Sequence, residues 1–226
     1  MKTILENVRK KTPLVHFITN YVTVNDVANM MLACGGSPIM SDDQKDVEDI
    51  TSICNALVIN IGTLNERSIE SMILAGKKAN ALGPPVILDP VGADTVTDDN
   101  LADTAEFAKE LSKTTGAIIA ITGAIDVIAD AERAYATRNG VTDMSKITGT
   151  GCMLDGVIAG YVAANMENPT NAVVAAIAAE GLCGEIAGAK VQAEGSGTSS
   201  LRMYLIDAMS RLDGETLVHG AKVEEI

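Results

Sequence analysis

Short aliphatic runs alternate along this chain with longer segments whose apolar positions recur at helical spacing. The first run, residues 13–18, is β-prone. It leads through a polar stretch into residues 27–34, helical in composition and stopped by Gly35-Gly36. Residues 37–40 predict a very short second strand, followed by an acidic stretch, 41–49, that reads as a solvated helix start. Residues 56–61 form an apolar run, interrupted only by Asn60, of the kind covered on both faces in a parallel sheet. Ile69, Met72, Ile73, Ala75 and Ala79 then fall at helical spacing within 66–82, Pro84-Pro85 ends that helix, and residues 86–88 start another strand that runs into Asp89. Thr97 predicts the N-cap of a helix over 98–112. Residues 116–123 predict a further buried strand, and 124–129 with 133–138 predict a β-hairpin. Three helices follow, one after Cys152 with a face made by residues 153, 157, 158, 161 and 162, an Ala-rich one over 171–188, and an amphipathic one over 201–212. The tail, 213–226, predicts no element. This alternation predicts an α/β fold with a mainly parallel sheet, right-handed crossovers and antiparallel strands at its edge.

Composition narrows the picture. All 226 residues suit one domain with one large core, and 47% hydrophobic residues with 20 glycines and 3% aromatics suit a helix-rich α/β protein. A net charge of −13 repels nucleic acid and anionic membranes, so a polyphosphate ligand would need a metal such as magnesium. The 4 cysteines form no Cys-x-x-Cys pair and only 2 histidines are present, which argues against a structural zinc site or a disulfide framework. The longest uninterrupted apolar run, residues 172–179, is too short to span a bilayer, and a cytoplasmic protein is expected.

The stretch Gly149-Thr150-Gly151-Cys152 concentrates the candidate chemistry. It opens a helix, where unpartnered N–H groups and the helix dipole favour an anion, the glycines allow close approach, and the thiolate of Cys152 would be favoured. Gly-x-Gly ahead of a helix also serves plain packing, and an internal cysteine also serves as a small core hydrophobe. Asp89, at the carboxyl end of a strand and followed by Pro90 and Gly92, is placed to hold a magnesium ion or its water, or simply to form a turn. Met40 would line an apolar pocket or pack in the core, and Thr122 would bond a phosphate or cap a turn. Asn20 and Asn25 lie at a strand's carboxyl end, where open α/β sheets bind ligands, while His16 reads as a core or rim histidine with its hydrogen bonds satisfied.

Taken together, residues 18–26 (Ile-Thr-Asn-Tyr-Val-Thr-Val-Asn-Asp), 35–40 (Gly-Gly-Ser-Pro-Ile-Met), 88–92 (Leu-Asp-Pro-Val-Gly), 121–126 (Ile-Thr-Gly-Ala-Ile-Asp) and 148–154 (Thr-Gly-Thr-Gly-Cys-Met-Leu) resemble the hydroxyethylthiazole kinase family. The resemblance implies a ribokinase-like three-layer αβα fold with a mainly parallel central sheet and an antiparallel edge hairpin. It implies ATP- and Mg²⁺-dependent phosphorylation of the hydroxyl of 4-methyl-5-(2-hydroxyethyl)thiazole in thiamine salvage, and a homotrimer with pockets at subunit interfaces. Cys152 would take the place of the catalytic Asp of ribokinase relatives, with Gly151 and Thr150 in the same catalytic turn. Met40, Gly149 and Asn20 would contact the thiazole, Thr122 would contact ATP, and Asp89 would serve the metal. Between Ala93 and Asp94 the family carries a further strand and helix, with an Arg-Gly-Asn-x-x-Glu motif for ATP and metal, that this sequence does not match. Losing an interior strand would leave a ladder edge open, so the resemblance implies either a segment lying outside these 226 residues or a chain that has lost part of its nucleotide site. The alternatives to the thiazole kinase are a catalytically inactive thiazole-binding trimer and a ribokinase-like kinase for another vitamin alcohol.

Overall fold

In the computed structural model, residues 1–92 and 96–226 are described, so the expected junction at Ala93, Asp94 and Thr95 lies outside the described residues. The elements run α1 (Lys2–Lys11), β1 (Leu14–Ile18), α2 (Val24–Cys34), β2 (Ser37–Met40), α3 (Val47–Ile53), β3 (Ala56–Asn60), α4 (Glu66–Leu82), β4 (Val86–Asp89), α5 (Leu101–Thr115), β5 (Ile119–Ile121), β6 (Asp126–Ala129), β7 (Ala134–Thr137), α6 (Thr150–Ala164), α7 (Pro169–Glu194), α8 (Thr198–Arg211), α9 (Gly214–Gly220) and β8 (Val223–Glu225). Their packing separates two compact units, one of residues 3–91 and 148–167, the other of residues 1–2, 92–147 and 168–226.

The unit built on β1 to β4 has one parallel sheet in the order β2-β1-β3-β4. Alternation along each strand assigns its two faces. Ile18, Leu57 and Ile59 pack with Val47 of α3 and with Met72, Ala75 and Ala79 of α4. Phe17 points the other way, where Gly156 of α6 lets the helix approach so closely that an added Cβ would lie 3.4 Å from the Phe17 ring. Helices α2 and α6 therefore cover one face and α3 and α4 the other, the three-layer arrangement expected. The predicted stop of α2 holds, Gly35 adopting φ 104°, and α4 begins at Glu66 as expected, where Asn65 caps it in a reciprocal capping box with Ser68. His16 is fully buried between Thr51 Oγ1 (2.9 Å from Nδ1) and the Ser41 carbonyl (3.0 Å from Nε2), and burial holds its pKa below the ordinary value. It is a core histidine, as its apolar run suggested.

The other unit carries the antiparallel sheet β5-β6-β7-β8. The hairpin of β6 and β7 is the one predicted. The strand before it shrinks to Ile119–Ile121 and is half-exposed rather than buried, because among the described residues it ends its sheet and has a neighbour on one side only. Helix α5 starts at Leu101 rather than 98, since Asn100 Oδ1 accepts the Thr97 N–H at 2.7 Å and holds a turn where an N-cap was expected. Among the described helices, α7 alone is long and apolar enough to cross a membrane, although most of its apolar stretch is buried within the protein. Reading only uninterrupted apolar runs missed this, because Glu180 and Glu185 divide the sequence that the helix joins.

Two helical glycines distinguish propensity from packing. In α4, a Cβ on Gly76 would meet only Ile59 Cδ1, at 3.6 Å, whereas in α7 a Cβ on Gly181 would lie 2.7 Å from the Asn139 backbone. Gly76→Ala should stabilise the protein by about 0.5–1 kcal/mol. Gly181→Ala should destabilise it by roughly 1–3 kcal/mol, because overpacking against backbone outweighs the helix preference. Denaturant midpoints of the two variants check this, and changes of the same sign would contradict it.

Candidate active site

The register of β3 and β4 sets Asn60 opposite Asp89, so the last side chains of two neighbouring parallel strands emerge on the same face of the sheet. That face is covered by α6, which presents Cys152 and Asp155 three residues apart on one side of its first turns. The result is a cluster in which ligand atoms of Asp89, Cys152 and Asp155 all lie within 4.8 Å of one another. Asn60, 1% exposed, donates through Nδ2 to Asp89 Oδ2 (2.5 Å), Asp155 Oδ2 (3.0 Å) and Cys152 Sγ (3.4 Å). Its Oδ1 accepts the Gly62 N–H at 3.0 Å. Beyond Asp89 the chain turns sharply: Asp89 Oδ1 accepts the Val91 N–H at 2.9 Å, and Val91 takes φ 58°, an unfavourable conformation for a β-branched residue.

Helix α6 begins at Thr150, after Gly149 with φ 89°. A side chain at Gly149 would meet Thr23 Cγ2 at 2.4 Å, so glycine is required there by conformation and by space alike. Gly151 is exposed with open space around its Cα, which leaves the first-turn N–H groups accessible to a ligand.

The electrostatics differ from expectation at Cys152. Burial, together with the nearby Asp155 and Asp89, raises the thiol's pKa, and hydrogen bonds from Thr23 and Asn60 only partly offset this. Desolvation and two acidic neighbours favour the neutral thiol, against the thiolate that a helix start was expected to favour. Burial likewise pushes Asp155 from the ordinary 3.8 up to about 8, aided by Asp89 and opposed by Asn60.

A cleft of about 630 Å³ opens at the carboxyl ends of β1, β2 and β3. Met40 lines it with Phe17, Thr19 and Tyr21, and so do Asp42 and Arg67, which are joined by an ion pair of 2.7 Å. The Thr19 hydroxyl is buried and has no hydrogen-bond partner among the described residues. Asn20 is engaged in its own turn, its Oδ1 accepting the Val22 N–H at 3.0 Å. Thr122 is exposed beyond β5 in the other unit. The structure thus gathers Asp89 and Cys152 at the start of α6 with Gly149, Thr150 and Gly151, and sets Met40 in the cleft wall. Sequence reasoning missed Asn60, Asp155 and Thr19. The i,i+3 spacing of Cys152 and Asp155 was the signal for one of them, whereas the partner of Asn60 is set by strand register, which the sequence does not show.

The sequence model of the hydroxyethylthiazole kinase family matches this chain in two stretches, residues 5–101 and 94–215. Hydroxyethylthiazole kinase of Clostridium acetobutylicum is 48% identical over 271 aligned positions, covering 99% of each chain; this exceeds the 226 residues here, so that relative has residues without counterpart. The solved structure of a hydroxyethylthiazole kinase protein from Pyrococcus horikoshii OT3 superimposes with a TM-score of 0.89 at 30% identity, over 100% of this chain and 98% of that one. A ribokinase-like superfamily protein from Enterococcus faecalis, 12% identical, shares the fold with a TM-score of 0.61 over 95% of each chain.

A carboxyl with a raised pKa is protonated in the fold and ionised in the unfolded chain between 3.8 and about 8. The unfolded state then binds fewer protons, so stability is full at low pH and is lost as pH rises through this window. In magnesium-free buffer, Asp155→Asn should remove roughly 1–3 kcal/mol of that loss between about pH 5 and about pH 8. Urea midpoints at both pH values measure it, and parallel pH dependence in variant and wild type would refute the assignment.

Proposed function

The chain belongs to the hydroxyethylthiazole kinase family, and from that membership we propose that it transfers a phosphoryl group from ATP to the hydroxyl of 4-methyl-5-(2-hydroxyethyl)thiazole. The observation that carries the reading is the cluster of Asp89, Cys152 and Asp155 beneath the open first turn of α6, at the carboxyl ends of a parallel sheet. Phosphoryl transfer asks a protein mainly for positioning and for stabilisation of charge on the moving group. The N–H groups of Thr150, Gly151 and Cys152 have no intrahelical partners and would supply that stabilisation. The carboxylate oxygens of Asp89 and Asp155 suit a hard divalent cation, and they are the groups that would hold Mg²⁺. When bound, that ion would neutralise charge on the phosphates.

The cleft beside Met40 would receive the thiazole, with the Thr19 hydroxyl offering it a hydrogen bond. Gly149 and Asn20 belong to the same end of the sheet, and Thr122 would reach ATP. Cys152, neutral and buried, would orient the attacking alcohol rather than deprotonate it. A homotrimer would cover Tyr21 and Val22, which are 85% and 66% exposed at the cleft end of β1. We place the protein in the cytoplasm.

One observation favours a second reading. The family match falls in two stretches, and among the described residues β4 ends its sheet with Leu88 61% exposed, which supports a chain that lacks the family strand and helix expected after Ala93. Such a protein would bind the thiazole alcohol without turnover. Calorimetry with the alcohol and then with Mg·ATP, followed by assay of the phosphorylated product, separates the two readings: product formation establishes the kinase, and binding without product establishes the other.

Cys152→Ala should lower kcat by roughly ten- to a hundred-fold without abolishing it; complete loss with normal thiazole binding would refute the orienting role. Thr19→Val should leave stability unchanged within about 0.5 kcal/mol, since the hydroxyl has no protein partner to lose, but weaken thiazole binding about ten-fold. Unchanged affinity by calorimetry would remove Thr19 from the site.

A further inference from the structure

We propose that Asn60 is a positioning residue for phosphoryl transfer, its amide holding Asp89, Asp155 and Cys152 in one constellation while its carbonyl oxygen fixes the turn that borders the thiazole cleft. This rests on the kinase reading above. Two N–H hydrogens on Nδ2 serve three acceptors, Asp89 at 2.5 Å, Asp155 at 3.0 Å and Cys152 at 3.4 Å. The network also fixes which way the amide points. A flipped side chain would set its carbonyl oxygen against both carboxyl groups and would remove the acceptor of the Gly62 N–H.

The other end of the side chain reaches the cleft. Gly62, held by Asn60 Oδ1, is pressed so close to Asn20 that an added Cβ would lie 2.5 Å from its Nδ2. The next residue, Thr63, accepts the Tyr21 N–H on Oγ1 at 2.8 Å, and both Thr63 and Tyr21 line the cleft. One buried side chain thus joins the residues that would hold the metal and the attacking group to the wall that would hold the alcohol. No near substitute does both. Aspartate keeps the acceptor and loses the donors, and serine is too short to span the strands.

The test compares Asn60→Ala, Asn60→Asp and the double variant Asn60→Asp/Asp155→Asn. The double variant restores one amide and two carboxyl groups with the amide moved to α6, and the carboxylate introduced on β3 can still accept the Gly62 N–H. Kinetics with Mg·ATP, calorimetry with the thiazole alcohol, thermal unfolding and a crystal structure of Asn60→Ala are measured. For Asn60→Ala, kcat should fall about a hundred-fold with thiazole Kd within about three-fold, the signature of lost alignment rather than lost binding. Asn60→Asp should be at least as impaired, and the double variant should recover about ten-fold over it. In the crystal structure, at least one of Asp89, Asp155 and Cys152 should have turned away from the others. An Asn60→Ala enzyme with undiminished kcat, a cluster unmoved in its crystal structure, or a double variant no better than Asn60→Asp would each overturn the proposal. If the wild type made no product, the kinase reading would fall, and the crystal structure would still decide whether Asn60 positions the cluster.

Discussion

Two carboxyl groups and a thiol meet in a dry corner of this protein, and among the described residues the Asn60 amide is the one group that donates to all three. Its side chain is 1% exposed, so water does not substitute for it. The elements around it are arranged to make the meeting possible. Parallel register brings Asn60 and Asp89 to one face at one height, and α6 approaches because Gly156 leaves room at the Phe17 ring. Gly149 lets α6 begin where it does, against Thr23. Scaffold and site are the same set of contacts.

The fold was legible wherever local signals decided it. Helix α4 runs from Glu66 to Leu82 as its apolar spacing and its Pro84-Pro85 stop required, and the hairpin of β6 and β7 followed from two short apolar runs around a polar turn. What periodicity could not give was the neighbour of each strand. Residues 86–88 read as a further strand of a mainly parallel sheet, yet β4 ends its sheet among the described residues, with Val86 and Leu88 exposed. Pairing is a property of distant segments, and the stretch after Gly92 is where this chain departs from the pattern its motifs resemble. Helix α1 was missed because its Lys-rich sequence buries only Leu5 and Val8, too sparse a stripe to stand out.

The site was legible in part for a related reason. Cys152, Gly149 and Asp89 carry sequence signals of their own, glycines before a helix and an acid at a strand end. Asn60 has none, since a polar residue ending an apolar strand is ordinary. Only the register shows that it faces Asp89, and only the packing of α6 shows that it also faces Asp155. The charge state of Cys152 was likewise hidden, because the helix start that would favour a thiolate is visible in sequence while the burial that opposes it, and Asp89 beside it, come from the packing of distant segments.

That neutral thiol has a bearing on chemical durability. Peroxides and electrophiles attack thiolates far faster than thiols, and cysteines that work as nucleophiles expose themselves to that damage. By surrounding Cys152 with acidic groups and burying it to 8% exposure, the fold favours the less reactive thiol form of a sulfur in the candidate site. Burial and acidic neighbours thus bias this sulfur away from the form on which oxidation and covalent trapping depend.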